Sequence, residues 1–340
     1  MVLSLSGETS FLEYLRRVEE STEPLLAFKA ETLDGWAKWR LELRDTLKRL
    51  IALPEDRVAV EVDVAEVKSC EGYTRKKITY KVEPRFRVPA YLLIPKRGGE
   101  KPGVLALHGH GRGKDDVAGI YRNEVEYQRF IAPLNYDYGV RLAKRGYVVL
   151  APDGRCFGEL ASDGVTCTWG FTASLLLGRT LVGLRVWDAM KAIDVLQSMS
   201  EVDPERIGCL GLSWGGTWTS YLSALDERVK TAVISGYFGT FRDMLIERGC
   251  CPCQYIPKVR LYADFPDIVS LIAPRPLLIE YGLRDPLYTK SVVLRAYESL
   301  KRVYSLLGAD EKLAMDMFDG GHMFHGVKAF KWLDKWLKNT

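Results

Sequence analysis

RIGCLGLSWGGTWTSYLSAL, residues 206–225, is the stretch that decides how the chain is read. Its first part is a short apolar run with the character of a strand and its last part has the composition of a helix. Gly211-Leu212-Ser213-Trp214-Gly215-Gly216 joins them and fits G-x-S-x-G. A turn this tight needs glycine, because a Cβ at either flanking position would meet the neighbouring strand or helix, and it lifts the central serine above the sheet edge. Ser213 is therefore the expected nucleophile. The competing reading is a glycine-rich turn around an inert serine, so partners elsewhere must decide.

On both sides of this stretch, short apolar runs alternate with helical segments, the pattern of crossover units on a parallel sheet. The runs are GVLALHG, YVVLAP, RIGCLGLS, TAVISGY, PLLIEYG and LAMDMFD. Helices are expected over 134–145, 180–199, 214–225, 289–307 and 324–338, on both faces of the sheet. Before Pro102 the period is two in EVDVAEV, KKITYKV and VPAYLLIP, which predicts three antiparallel strands. Residues 1–54 read as a helical extension: Phe11, Leu12, Leu15 and Val18, then Trp36, Trp39, Leu43, Leu47 and Leu50, recur at helical spacing. The main domain then covers 55–340. The stretch from Gly239 to Pro274 is long for a connection, so a small cap insertion is expected over about 239–275.

A serine hydroxyl becomes a useful nucleophile only when a base takes its proton, and with an elbow of this kind the chain order is Ser, acid, His. The histidines are His108, His110, His322 and His325, and the first two precede the serine. His322 is the expected base, because Gly320 and Gly321 place it in a loop past the strand LAMDMFD, whereas His325 falls where a helix should have begun. Asp285, just beyond PLLIEYG, is the expected acid; Asp226, Asp243, Asp264 and Asp267 fall in helical or cap segments and Glu280 inside a strand. The oxyanion needs backbone donors. Trp214 supplies one N–H by position and His110, in GVLALHGHGRGK, is the expected second. Trp169, Trp218, Tyr237 and Phe238 are candidates to line a compact apolar acyl pocket.

LALHGHGRGKDDVAG, APDGRCFGE, VDPERIGCLGLSWGG and SLIAPRPLLIEYGLRDP resemble the dienelactone-hydrolase-like and acetyl-xylan-esterase-like branch of the α/β hydrolases. The resemblance runs from about residue 72 to the C-terminus. It implies an α/β-hydrolase fold, a mostly parallel sheet with helices on both faces, and a serine esterase with its triad on Ser213, Asp285 and His322, acting on short acyl groups of the acetyl type. Dienelactone hydrolase itself carries cysteine at the elbow, where this chain has serine.

Among 340 residues, 47% are hydrophobic, enough to fill a large core. No apolar run reaches membrane-spanning length, and MVLSLSGETS lacks the shape of an export signal, so a soluble cytoplasmic protein is expected. A formal charge of +4, spread without a basic block, argues against nucleic acid as a partner. The expected partner is a small-molecule ester, with no cofactor, no membrane, and self-association left open. Amides are few (Asn123, Gln128, Asn135, Gln197, Gln254 and Asn339), a habit of thermophile proteins. That habit leaves open a disulfide such as Cys156 with Cys167. Cys250, Cys251 and Cys253 lack a fourth ligand at zinc spacing and are expected to pack in the cap. The other readings are a metal site on the paired histidines, a serine peptidase resembling the prolyl-oligopeptidase catalytic domain, and a non-catalytic binding protein of the same fold.

Overall fold

In the computed structural model, which describes residues 10–55 and 58–338, nine strands form one sheet. They are β1 (Val62–Ser69), β2 (Tyr73–Glu83), β3 (Phe86–Pro95), β4 (Lys101–Leu107), β5 (Val148–Pro152), β6 (Val202–Leu212), β7 (Val229–Ser235), β8 (Leu277–Gly282) and β9 (Leu313–Phe318), in the spatial order β1-β2-β3-β5-β4-β6-β7-β8-β9. β1, β2 and β3 pair antiparallel, as does β3 with β5, and every pair from β5–β4 to β8–β9 is parallel. The six apolar runs are the six parallel strands. In the inner strands β4 and β5 the run is wholly buried because both faces of the strand are covered: Leu105 and Leu107 of β4 enter one core while Val104 and Ala106 enter the other.

The helices are α1 (Phe11–Glu20), α2 (Leu33–Leu50), α3 (Lys114–Val117), α4 (Glu124–Phe130), α5 (Tyr138–Lys144), α6 (Cys167–Leu176), α7 (Leu181–Gln197), α8 (Trp214–Leu225), α9 (Val259–Tyr262), α10 (Phe265–Ser270), α11 (Lys290–Leu306) and α12 (Val327–Leu337). α7, α8, α10 and α11 bury side chains in the core on one face, and α3, α5 and α12 do so on the other. No helix among the described residues is long and apolar enough to cross a membrane. The segment read above as lacking an export signal lies outside the described residues, apart from Ser10.

The two N-terminal helices behave differently. α2 starts on the Thr32 cap, whose hydroxyl accepts from the Gly35 N–H, and buries Trp39, Leu43 and Leu47. Its far end is fastened by the Thr180 hydroxyl, which donates to the Ile51 carbonyl. α1 is held instead by ion pairs, Arg16 with Glu247 at 2.6 Å and Arg260 with Glu19 at 2.7 Å. Its apolar residues Phe11, Leu12, Tyr14, Leu15 and Val18 stay exposed, so helical spacing there marks no core contact.

After β7 the chain makes a π-helical turn (Arg242–Glu247), a 3-10 turn (Pro252–Gln254), α9 and α10. α10 belongs to the body, with Phe265, Ile268 and Val269 fully buried. The part before it, which carries the three cysteines, leans toward the loop that follows β4: Cys253 Sγ lies 3.7 Å from His110 Nε2.

Candidate active site

Ser213 stands between β6 and α8 with φ +59° and ψ −121°, a conformation that L-residues rarely adopt. Such backbone persists only where the surroundings enforce it. Here a Cβ on Gly211 would run into the Gly215 carbonyl, and one on Gly215 into the Leu107 carbonyl of β4. The Ser213 N–H donates to the Ser235 carbonyl at the end of β7 (2.8 Å). Thus the elbow is pinned on three sides, and the sequence pattern is its steric requirement.

β8 and β9 end beside it. Asp285 is buried three residues past β8, its N–H donating to the Gly282 carbonyl and its Oδ1 accepting from the Leu287 N–H at 2.8 Å. Its Oδ2 lies 2.7 Å from Nδ1 of His322, which follows β9. The His322 ring packs against Gly236, where a Cβ would lie 3.1 Å from Cε1. Gly236 succeeds the Ser235 that holds the elbow, so the imidazole lies beside the Ser213 turn with Nδ1 on the carboxylate and no hydrogen bond at Nε2 among the described residues.

His325 is placed otherwise. Its Nδ1 bonds Asp316 Oδ2 at 2.8 Å and its ring stacks on Phe318 at 4.3 Å. The helix expected from 324 begins only at Val327, because Gly326, at φ +77°, turns the chain and donates its N–H to the buried Glu280 carboxylate. Burial pushes the Glu280 carboxyl up to about 7.

The loop after β4 reaches the elbow through Gly109. A Cβ there would lie 2.7 Å from the Leu212 carbonyl and 3.1 Å from the Ser213 Cβ. His108 is fully buried and bonded at both nitrogens. Nε2 accepts from the Gly154 N–H at 2.8 Å, which leaves Nδ1 as the protonated nitrogen, donating to the Gly109 carbonyl at 2.7 Å. Burial pushes its pKa down to about 3, with Arg185, His110 and Lys114 adding repulsion. His108 therefore clamps the β4 loop to the end of β5. With both nitrogens on backbone, it is no metal ligand. The His110 side chain points to the cysteines of the segment above it.

Two expectations about side chains change. Trp218, Tyr237 and Phe238 are core residues at 2–3% exposure. They pack in the main core, Trp218 from an α8 that is buried along its whole length. Trp169 does line a cleft of about 500 Å³, with Phe86, Leu160 and Leu181, but Ser213, Asp285 and His322 do not. The Trp214 ring is likewise turned inward, against Trp218 and under the Arg185 guanidinium at 4.2 Å. All seven cysteines are free thiols. Among the described residues, two groups could hold a metal ion: Glu280 with Asp316 and His325, already bonded internally or to backbone, and His110 with Cys167, Cys251 and Cys253.

Three comparisons with known proteins agree with this architecture. The Bacillus subtilis protein named "Putative hydrolase YtaP" is 30% identical over 311 residues, covering 88% of this chain and all of the relative. A dipeptidyl-peptidase 5 of Porphyromonas gingivalis is 25% identical over 225 residues, 60% of this chain but 31% of that protein. The crystal structure of a "putative acetyl xylan esterase" from Bacteroides fragilis superposes with a TM-score of 0.76 at 20% identity, covering 91% of this chain and 82% of that one. The Abhydrolase family model matches residues 10–316. With the strand order, the elbow and this match together, the chain belongs to the Abhydrolase family and has the α/β-hydrolase fold.

Proposed function

We propose that this protein is a serine hydrolase of carboxylic esters, with Ser213 as nucleophile, His322 as general base and acid, and Asp285 as the orienting carboxylate. The observation that carries the reading is the 2.7 Å bond between Asp285 Oδ2 and His322 Nδ1, made beside a serine held at φ +59°. Asp285 fixes the tautomer with the proton on Nδ1, so Nε2 is free to take the Ser213 proton. Serine Oγ then bonds to the ester carbon and the carbonyl electrons move to oxygen. As this intermediate collapses, His322 returns the proton to the departing alkoxide, leaving an acyl-serine and an alcohol. Water, deprotonated by the same imidazole, attacks the acyl carbon; the acyl–Oγ bond breaks, His322 gives the proton to Oγ, and the carboxylic acid leaves the restored serine.

The oxyanion needs two donors. Trp214 is the first residue of α8, so its N–H has no acceptor within the helix. The second is the His110 N–H. In a trans peptide C=O and N–H point oppositely, and His108 holds the Gly109 carbonyl, so the orientation of the His110 N–H is set before substrate arrives. Short acyl groups are the proposed substrates, in keeping with the likeness to an acetyl-xylan-esterase-type structure.

Side-by-side assays of p-nitrophenyl acetate, acetylated sugars and aminoacyl p-nitroanilides test the reaction class. Hydrolysis of the esters with little action on the anilides is expected. Turnover confined to the anilides would make the protein a peptidase.

A further inference from the structure

His110, Cys167, Cys251 and Cys253 come from three separate places in the fold. His110 lies on the loop after β4, Cys167 opens α6, and Cys251 and Cys253 flank the start of the 3-10 turn above the site. Their ligand atoms, Nε2 or Nδ1 of the imidazole and the three Sγ, all lie within 4.8 Å of one another. The Cys253 Sγ to His110 Nε2 separation is 3.7 Å. A tetrahedral zinc with bonds of ~2.3 Å to sulfur has ligand–ligand edges of about 3.8 Å. Cys250, in the same segment, is not one of the four; its sulfur accepts from Gln254 Nε2.

A second observation gives the charge. Arg185 is fully buried on α7, packed on the Trp214 ring, yet among the described residues its hydrogen-bond partners are the Arg155 carbonyl and, at 3.4 Å, the Cys167 sulfur, and its Nη1 has none. A buried guanidinium is costly without a counter-charge. Three thiolates, a neutral imidazole and a divalent cation carry one net negative charge, the charge Arg185 lacks. Cys167 also stands in the first turn of α6, where the helix N-terminus favours a thiolate. A disulfide would employ only two of the sulfurs and leave the third thiol and the imidazole without a role.

We propose that these four residues bind one zinc ion as a closed Cys3His site. With four protein ligands no position is left for substrate, so the ion is structural. It fastens the cysteine-bearing segment and α6 to the His110 loop, the loop that also carries the second proposed oxyanion donor. The site can be tested apart from the ester-hydrolase reading, because it uses the imidazole of His110 and not its N–H, and neither Ser213 nor His322.

The test uses the untagged full-length protein, purified under reducing conditions from zinc-supplemented medium and passed over a chelating resin. Elemental analysis by plasma mass spectrometry should find about one zinc per chain. That zinc should be released by a thiol-blocking mercurial, retained in Ser213→Ala, and lost in Cys167→Ser and Cys253→Ser. Cobalt(II) exchanged into the wild type should give the visible bands of a tetrahedral thiolate centre. This readout does not depend on the variants folding. Folded wild-type protein that holds no zinc, and after reduction takes up neither zinc nor cobalt, overturns the proposal. So does an intact mass two hydrogens short with no metal, which marks a disulfide.

Discussion

Replacing His108 by leucine tests how the β4 loop is held, and the structure sets the size of the effect. The side chain is fully buried, and each ring nitrogen satisfies one backbone group, the Gly109 carbonyl and the Gly154 N–H. Leaving a buried polar group unpaired costs about 1–3 kcal/mol, so two orphans should cost roughly 2–6 kcal/mol near pH 8. The cost should depend on pH. Burial depresses the histidine pKa from 6.5 to about 3 in the folded protein. A depressed pKa contributes stability above the unfolded value, and that contribution is lost as pH falls toward the folded one. Between pH 8 and 4.5 the wild type should lose about 3 kcal/mol on this account, at about 1.4 kcal/mol per pH unit below 6.5. His108→Leu cannot lose it, so the gap between the two proteins should shrink by that amount. Urea unfolding followed by circular dichroism at both pH values measures the gap. At pH 8 the variant should also show a kcat lowered by ~10²-fold or more with a smaller change in KM, as expected when an oxyanion donor is misplaced. A gap unchanged between pH 8 and 4.5 would refute the neutral buried imidazole, and full kcat in a folded variant would refute the clamp.

The other expectations concern the triad and the acyl group. His322→Ala should lower kcat by several orders of magnitude while His325→Ala, which loses a bond to Asp316 and a stack on Phe318, should cost far less; steady-state kinetics on both folded variants would reverse the assignment if the order were opposite. Asp285→Asn keeps the shape of the acid but removes its preference for a proton on Nδ1, so kcat should fall by roughly 10⁴-fold with KM little changed, and a loss below tenfold would remove Asp285 from the triad. Among p-nitrophenyl esters, kcat/KM should be highest for acetate, and a higher value for octanoate would contradict the short-acyl assignment.

What was readable in the sequence follows from locality. The inner parallel strands were legible because burial on both faces leaves short, mainly apolar runs, as in β4 and β5. The elbow was legible because its steric demands fall within six residues. His322 and Asp285 were reachable because chain order and four histidines leave few choices, although their hydrogen bond appears only in three dimensions. α6 was missed because it is apolar around much of its surface and buries only Gly170 fully, so no stripe marks it. Trp218, Tyr237 and Phe238 were assigned to a pocket on aromatic character alone, and for Trp218 periodicity could not tell a wholly buried α8 from a pocket wall. The other two members of the proposed zinc site were invisible, since His110 and Cys167 are far from Cys251 along the chain.

The central claim is that Ser213 is an activated nucleophile, and covalent labelling tests it most directly. A fluorophosphonate reacts with a serine whose proton an imidazole can remove, and peptide mass spectrometry locates the adduct. The account predicts one adduct on the peptide containing Ser213, greatly slowed in His322→Ala and absent in Ser213→Ala. An adduct at another residue, or equal labelling of the Ser213→Ala protein, would contradict it.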